Sequence, residues 1–277
     1  MITRKLLQDA KEKLEQAGCD SPGLDAEILL MSTWQISKTS LVIRMLDEVP
    51  MGVESTFQSL LSRRLAREPL AYITGSKAFW AHDFLVTTDV LIPRPETEHL
   101  IESVLQYYPN QDEPLQICDI GTGSGCIAAT LADLYVNAHV TACDISDKAL
   151  AVAKLNAKNI SVSDRMTFCL GDLYQALSGF EQFDVIVSNP PYVSAAEMVE
   201  LEPELGYEPR QALTDEASGL TLLTELLENA HLYLKDAGLL VLESGLCGMP
   251  ETPETLLKLE DYSDLAGNYR GSVFRKA

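Results

Sequence analysis

The chain is short of cations. Its 277 residues carry 21 Lys and Arg against 41 Asp and Glu, a formal net charge of -20. The deficit is uneven: residues 1–75 hold 9 basic and 10 acidic side chains, so almost all the excess acid lies beyond them. Such a surface repels phosphate backbones and attracts basic proteins, which disfavours nucleic acid as a direct substrate. Taken alone, acidity also serves plain solubility. No run of about eighteen apolar residues occurs. The opening "MITRKLLQDAKEKLEQAG" alternates charged and apolar positions at helical spacing where a leader would show an uncharged core. Secretion and membrane spanning are therefore not expected. The six cysteines include no CxxC pair, so the spacing of zinc and redox sites is missing and no metal is expected. Four of them sit in or beside apolar runs, where a free thiol acts as a small hydrophobe, and a reducing, cytoplasmic setting fits best. Internal repeats and low-complexity tracts are missing as well.

What is there begins with helical periodicity. Leu6, Leu7, Leu14 and Ala17 recur on one face of a first segment, and Leu24, Ile28, Leu29 and Met31 follow the turn "DSPG". A third helix is expected over Val53 to Ala66, which makes residues 1–75 a small all-helical domain. The pattern then changes to "KAFWAHDFLVTTDVLIPRPETE", rich in aromatic and β-branched residues, and residues 76–95 read as a β-hairpin linker. In this segment Phe79 and Trp80 read as plain core residues.

Residues 96–277 alternate strand and helix. Strands are expected at 115–120, 139–144, 166–170, 183–188 and 238–244, with helices over Ser124 to Tyr135, Asp147 to Lys158 and Gly219 to Leu234. Alternation of this kind specifies an α/β fold, a mostly parallel sheet covered by helices on both faces.

The first of these strands runs into "DIGTGSGCIAATLA". Gly121, Gly123 and Gly125 allow a sharp turn and a close approach of backbone to ligand. The loop is neither the GxGxxG fingerprint nor a P-loop, since no Gly-Lys-Ser/Thr follows. Asp119 adds an acid where a phosphate would want none, so a cofactor without phosphate and with a cationic centre suits it better. The next strand ends in "ACDIS", which puts Asp144 at a carboxyl-end strand tip, where open sheets bind ligands. An acid there can accept hydrogen bonds from both hydroxyls of a ribose. "LGDLY" places Asp172 and Leu173 after the third strand, suited to holding an adenine by its amine and covering its face. Singly, such acids are more often helix caps or solvated strand ends, and Ser146 with Asp147 reads as a cap.

In combination, the glycine loop, Asp144 and Asp172 at successive strand tips resemble the class I S-adenosylmethionine-dependent methyltransferases. The resemblance implies a Rossmann-like, mostly parallel seven-stranded sheet. It further implies that Gly121, Thr122, Gly123, Ser124 and Gly125 cradle the methionine part of S-adenosyl-L-methionine, that Asp144 binds the ribose, and that Asp172 and Leu173 line the adenine pocket.

The fourth strand tip of such a sheet lies beside the cofactor's methyl group, and there the chain reads "NPPY". A planar nitrogen is a poor methyl acceptor because its lone pair is delocalised. The Asn189 side-chain oxygen and the Pro190 carbonyl can both accept hydrogen bonds from one NH2, and Tyr192 can pack against the planar group. Pro190 and Pro191 fix the acceptors in advance, which reduces the ordering cost of reaction. Asn189 counts here both among the catalytic and among the cofactor-binding residues. No strong base is needed, because a methylated amide nitrogen loses its proton readily.

Asn-Pro-Pro-Tyr serves nucleobase and glutamine-amide methyltransferases alike. "LIPRPETEHLI", the preceding "EPLAYITGSKAFWAHDFLV", "YEPRQAL" and "DLAGNYR" extend the likeness over nearly the whole chain. Together they resemble the protein-(glutamine-N5) methyltransferase of peptide chain release factors, the HemK/PrmC family. The resemblance implies methyl transfer to the glutamine of the Gly-Gly-Gln motif of class 1 release factors, modulating translation termination. The helical domain would recognise the protein substrate, and Arg94 and Glu96 would wall the substrate pocket. A monomer acting on neither nucleic acid nor membrane is expected. Pro93 and Pro95 with Glu96 and Glu98 also suit the start of a helix near Thr97. Other readings stay open at this point: a ribosomal-protein glutamine, a nucleic-acid adenine N6 methyltransferase, and a noncatalytic cofactor-binding partner of a translation factor.

Two departures stand out. Ser218 replaces an expected acid before Gly219. After Glu243 the chain lacks a Gln and is several residues short, which puts the last helix and β-hairpin of the fold in question.

Overall fold

Helices dominate the chain up to Gly75 because leucines recur there at helical spacing. A computed structural model describes residues 1–177, 179, 182–199 and 201–277. Contacts divide them into two units, one of Met1–Gly75 with Glu202–Tyr207, the other of Ser76–Leu201 with Glu208–Ala277.

The first unit holds α1 (Thr3–Gln16), α2 (Pro22–Trp34), α3 (Lys38–Ile43), α4 (Met51–Leu65) and α5 (Leu70–Thr74). Leu6, Leu14, Leu29, Leu30, Phe57 and Leu61 form its core. Gly18 ends α1 at φ 77°, a left-handed stop, and the Cys19 amide closes back on the Leu14 carbonyl. The buried face of α2 is Asp25, Ala26, Leu29 and Leu30, while Leu24 is exposed. Of the apolar set read from the sequence, Leu29 is in the core, Met31 packs against it, Ile28 is half-buried and Leu24 is exposed. The polar Asp25 joins the buried face in place of Leu24, accepting from Arg64 Nε at 2.7 Å. Arg64 and Arg67 also grip Glu204, the latter through two bonds of 2.6 Å.

The second unit opens with the hairpin β1 (Ser76–Phe79) and β2 (His82–Leu85). Phe79 and Phe84 are core residues of this unit, so the hairpin is packed into it. Trp80 occupies the turn at φ 53° and is only partly buried. A 3-10 turn at Pro95–Thr97 leads into α6 (Glu98–Tyr107). Glu98 accepts the Trp80 amide at 2.7 Å.

Then come β3 (Gln116–Ile120), α7 (Cys126–Leu134), β4 (His139–Asp144), α8 (Asp147–Ile160), β5 (Met166–Leu170), β6 (Phe183–Ser188), α9 (Thr221–Tyr233), β7 (Leu234–Glu243), β8 (Leu256–Ser263) and β9 (Tyr269–Lys276). The seven-stranded sheet has the order β5-β4-β3-β6-β7-β9-β8, parallel except where β9 pairs with β7 and β8. Order reverses at β3 and β6, the switch point where open α/β sheets bind ligands outside their carboxyl ends. Alternate residues of each strand go to opposite faces. Ile117, Val140, Val185 and Val241 meet α6, α7 and α8, and Cys118, Ile186, Leu240 and Leu242 meet α9.

Residues 244–255 form no helix, and the β8–β9 hairpin is intact. Gly245, Gly248, Pro250 and Pro253 fall within this stretch, enough to break any helix. The sheet adapts, since on the face of Leu240 and Phe274 the edge strand β8 presents Lys258 and Asp261, a polar surface that needs no cover. Charged residues on an edge strand also discourage pairing with another chain. None of the helices among the described residues is long and apolar enough to cross a membrane.

Candidate active site at the sheet switch point

A cavity of about 310 Å³ opens at the carboxyl ends of β3, β4, β5 and β6. Gly121, Gly123, Asp144, Asp172, Leu173, Asn189 and Pro191 line it, so each of the four expected strand tips contributes. Pro209, Gln211, Ala212 and Leu222 also contribute, as does the segment Asp89 to Leu91. Its size falls at the lower end of small-molecule sites.

The glycine loop is built by continuing the β3–β4 ladder. The Gly121 and Thr122 amides both donate to the Cys143 carbonyl, at 2.9 and 2.8 Å. The chain then turns with φ of 75° at Gly121 and 55° at Gly123, values a side chain resists. A Cβ on Gly121 would meet no protein atom within 4 Å and would stand in open space beside the cavity. Not every residue of the loop faces that space. Thr122 and Ser124 are buried, the first donating to Asp119 Oδ2 at 2.7 Å, the second holding Asn156 through its carbonyl at 2.8 Å. Gly125 packs on α8, where a Cβ would come 2.9 Å from the Ala153 Cβ.

Asp119 itself is buried and serves as a brace, accepting from Thr122 and, at 3.2 Å, from the Ala128 amide. Burial pushes its carboxyl up to about 7. Asp144 is half-buried and takes one backbone amide on each oxygen, Gly123 N on Oδ2 and Ser146 N on Oδ1, both at 2.9 Å. Each oxygen keeps a lone pair, enough for the two hydroxyls of a ribose. Burial raises its pKa. Ser146 caps α8 by accepting from Ala149 N. Asp172 is exposed at the rim, and Leu173 beside it has φ 41°. A non-glycine residue in that region costs energy and is found where the surroundings impose it.

The acids Asp89, Asp144 and Asp172 line the cavity, and no Lys or Arg does among the described residues. Such a donor set suits a cation bearing a ribose and an adenine. S-adenosylmethionine, a sulfonium without phosphate, fits those residues.

Across the switch point the Ser188 hydroxyl donates to the Ile120 carbonyl at 2.7 Å, tying the end of β6 to the end of β3 just before Asn189 and Gly121. Pro190 is buried, and the Tyr192 hydroxyl donates to Glu243 at 3.1 Å. Burial and the Glu243 charge raise the Tyr192 pKa well above that of an ordinary phenol. Arg94 and Glu96 do not line the cavity. Arg94 pairs with the buried Glu208, whose other oxygen accepts Ile92 N at 3.0 Å, and Glu96 lies 3.9 Å from Arg270. The residue of "PRPETE" that touches Asn189 is Thr97, at 3.1 Å. Thr97, Glu208, Gln211 and Glu243 were not singled out from the sequence. Glu243 carries the same signal as Asp144, an acid ending an apolar strand.

The order of the sheet and a cofactor site at its switch point define an S-adenosylmethionine-dependent methyltransferase, and residues 98–244 match the methyltransferase small domain family. Residues 5–75 match the PrmC N-terminal domain. A release factor glutamine methyltransferase of Koribacter versatilis is 38% identical over 246 residues, 88% of this chain and 87% of that one. Its counterpart in Nitratidesulfovibrio vulgaris is 39% identical over 244 residues, 87% and 81% of the two chains. The chain belongs to the release factor glutamine methyltransferase family. Among solved structures, a methyltransferase from Pyrococcus furiosus overlays with a TM-score of 0.47 at 18% identity, covering 80% of this chain and 98% of that one, too loose a likeness to add to the case.

Proposed function

We propose that this enzyme methylates the side-chain amide nitrogen, N5, of the glutamine in the Gly-Gly-Gln motif of class 1 peptide chain release factors, and so modulates translation termination. S-adenosylmethionine bound at the switch point supplies an electrophilic methyl on a sulfonium. Gly121 and Gly123 leave room for its methionine part, Asp144 accepts from its ribose, and Asp172 with Leu173 borders its adenine. Thr122, Ser124 and Gly125 act one step back, holding the loop in shape.

The protein's part in the reaction is orientation. The Asn189 Oδ1 and the Pro190 carbonyl accept the two N–H bonds of the glutamine amide and aim its lone pair. Stiffness of the Pro190–Pro191 pair means that little ordering remains to be done at reaction, where orientation is worth several kcal/mol. The nitrogen gains a methyl and sheds its proton to solvent. The observation that carries the reading is that Asn189 and Pro191 border the same cavity as Gly121, Gly123 and Asp144.

Residues 1–75 are read as the substrate-recognition domain. Arg94 acts through Glu208, and Glu96 through Arg270, on the walls of the substrate pocket. The net charge of -20 favours a basic protein segment over nucleic acid as partner. A cytoplasmic monomer without membrane attachment completes the proposal.

The test is mass spectrometry of an unmodified release factor incubated with the protein and S-adenosylmethionine. One methyl on the glutamine of Gly-Gly-Gln is expected. Cofactor binding without that product would overturn the substrate assignment.

A further inference from the structure

The strand tips make only one side of the cavity. The other side is chain outside the sheet: Asp89 to Leu91 from the stretch that leads to the Pro95–Thr97 turn, and Pro209, Gln211 and Ala212 from a single 3-10 turn, Arg210–Ala212. Irregular chain has no ladder to keep its shape, so its backbone and side chains must be tied individually.

Two ties hold residues 208–213. At one end the Glu208 side chain, 2% exposed, accepts Ile92 N at 3.0 Å on one oxygen and Arg94 Nη2 on the other. One buried carboxylate thus joins the residue after Leu91 to the residue before Pro209, 116 positions along the chain. At the other end the Leu213 carbonyl accepts Val193 N at 2.9 Å, directly after "NPPY". Between the ties, Arg210 is turned to Glu216 at 2.8 Å, and Gln211 is the residue whose side chain brings polar atoms to the cavity.

Hydrogen-bond donors are scarce there. Asp89, Asp144 and Asp172 only accept when ionised, and Asn189 Nδ2 already donates to Thr97 at 3.1 Å. The Ser146 hydroxyl caps α8 beside Asp144, at the ribose end. Gln211 keeps its NH2 without a hydrogen-bond partner among the described residues. A carboxamide that enters as methyl acceptor brings two N–H bonds and one carbonyl oxygen. With Asn189 Oδ1 and the Pro190 carbonyl taking the N–H bonds, the oxygen still needs a donor, and leaving it without one is costly.

We propose that the Gln211 side chain donates to the carbonyl oxygen of the glutamine to be methylated, and that Glu208 is the positioning residue that keeps Gln211 in reach. This rests on the reading of a glutamine amide as methyl acceptor and of Asn189 and Pro190 as the groups that take its NH2. A bond to the carbonyl draws electron density toward oxygen, so its value is in orientation: a third contact fixes the plane of the amide in front of the methyl. It also sorts substrates. A glutamate would turn a charged oxygen to Asn189 Oδ1 and the Pro190 carbonyl, acceptor against acceptor.

The test is steady-state kinetics of the full chain with S-adenosylmethionine and an unmodified release factor, alongside calorimetric titration with the cofactor. Gln211→Met keeps the length of an exposed side chain and removes the NH2. It is expected to lower kcat/KM for the release factor on the order of ten- to a hundredfold, the scale of one unmade hydrogen bond in a closed site, with cofactor affinity at the wild-type value. Glu208→Gln keeps an acceptor for Ile92 and gives up the charge that faces Arg94, and a smaller loss of the same kind is expected. The double variant should be no slower than Gln211→Met alone, because a residue that acts through another adds nothing once the other is gone. Arg94→Met loosens the same clasp from its more exposed end and takes the place of Glu208→Gln if that variant does not fold. Wild-type kcat/KM in Gln211→Met, a loss that appears in cofactor affinity, or losses that add in the double variant overturn the proposal. Failure of the underlying reading looks different: the wild type would bind cofactor and leave the release factor unmethylated.

Discussion

The Tyr192 ring lies so close to Gly245 that a Cβ there would stand 2.9 Å from both Cδ2 and Cε2. On another side, a Cβ on Gly219 would come 2.3 Å from the Tyr192 carbonyl oxygen, and Gly219 has φ 81°. Two glycines from distant loops thus leave room for the tyrosine of "NPPY", whose hydroxyl is held by Glu243.

Gly245→Ala should therefore act on the active site without touching the cofactor loop. The added methyl has to displace the ring, and misplacement by about 1 Å can cost on the order of a hundredfold in rate. The expected outcome is a kcat at least about tenfold lower with cofactor affinity retained, read by steady-state kinetics and by calorimetric titration with S-adenosylmethionine. A variant with wild-type kcat would show that the Tyr192 ring position does not matter for transfer.

At Gly125 the expected effect is on stability. The φ of 79° and a 2.9 Å approach to the Ala153 Cβ both count against Gly125→Ala, which should cost about 1–3 kcal/mol in urea unfolding. The two causes separate in a double variant. Adding Ala153→Gly removes the collision and leaves the backbone strain, so it should recover part of the loss. Recovery of none would mean that conformation alone makes Gly125 necessary.

The inner parallel strands were legible because they are buried on both faces and read as apolar runs, "FDVIVS" and "GLLVLES" among them. Asp144 and the glycine loop were legible because they sit at the ends of those runs. Thr97 was not, since its meaning depends on Asn189, 92 residues away, and on a hydrogen bond only the folded chain makes. Periodicity placed Leu29 and Met31 of α2 correctly but counted Leu24 inward and missed Asp25, which is polar in any such pattern and whose burial Arg64 makes possible. The shortness after Glu243 put both the last helix and the β-hairpin in question; the helix is missing but the hairpin forms, and that β8 places Lys258 and Asp261 where a helix would pack needed the register of β9.

The cluster of Asp25, Arg64, Arg67 and Glu204 lies within the helical unit and gives it a distinct test. Burial opposes ionisation of Glu204, yet its bonds to Arg67 and Arg64 hold its pKa below the usual range. Glu204→Gln keeps the shape and removes the charge that both guanidinium groups face. Removing one member of a buried ionic group leaves the others uncompensated, and a loss of about 1–3 kcal/mol is expected here, given partial exposure. Thermal unfolding at neutral pH checks it, and the deficit should shrink as pH falls below the carboxylate range, because protonation removes the same charge from the wild type. A deficit that stays constant into acid would assign the loss to shape.

Asp119 yields a pH dependence of opposite sign. Burial pushes its carboxyl up to about 7 from a reference of 3.8, although Thr122 and the Ala128 amide, which donate to it, favour the charged form. Because the folded value exceeds the unfolded one, protonated Asp119 favours the folded state. That contribution is complete below about 4 and is lost as pH rises to about 7. Asp119→Asn retains an oxygen for Thr122 and Ala128 and never ionises. The stability difference between wild type and variant should therefore shift against the wild type by up to about 1.4 kcal/mol per pH unit across that window, and level off above it. Glu243 titrates in the same window but is present in both proteins, so it cancels in the difference. Urea unfolding of both proteins at several pH values gives the curve. A flat difference would mean that Asp119 ionises as easily in the folded chain as in the unfolded one, and the brace under the glycine loop would then be a full charge at every working pH.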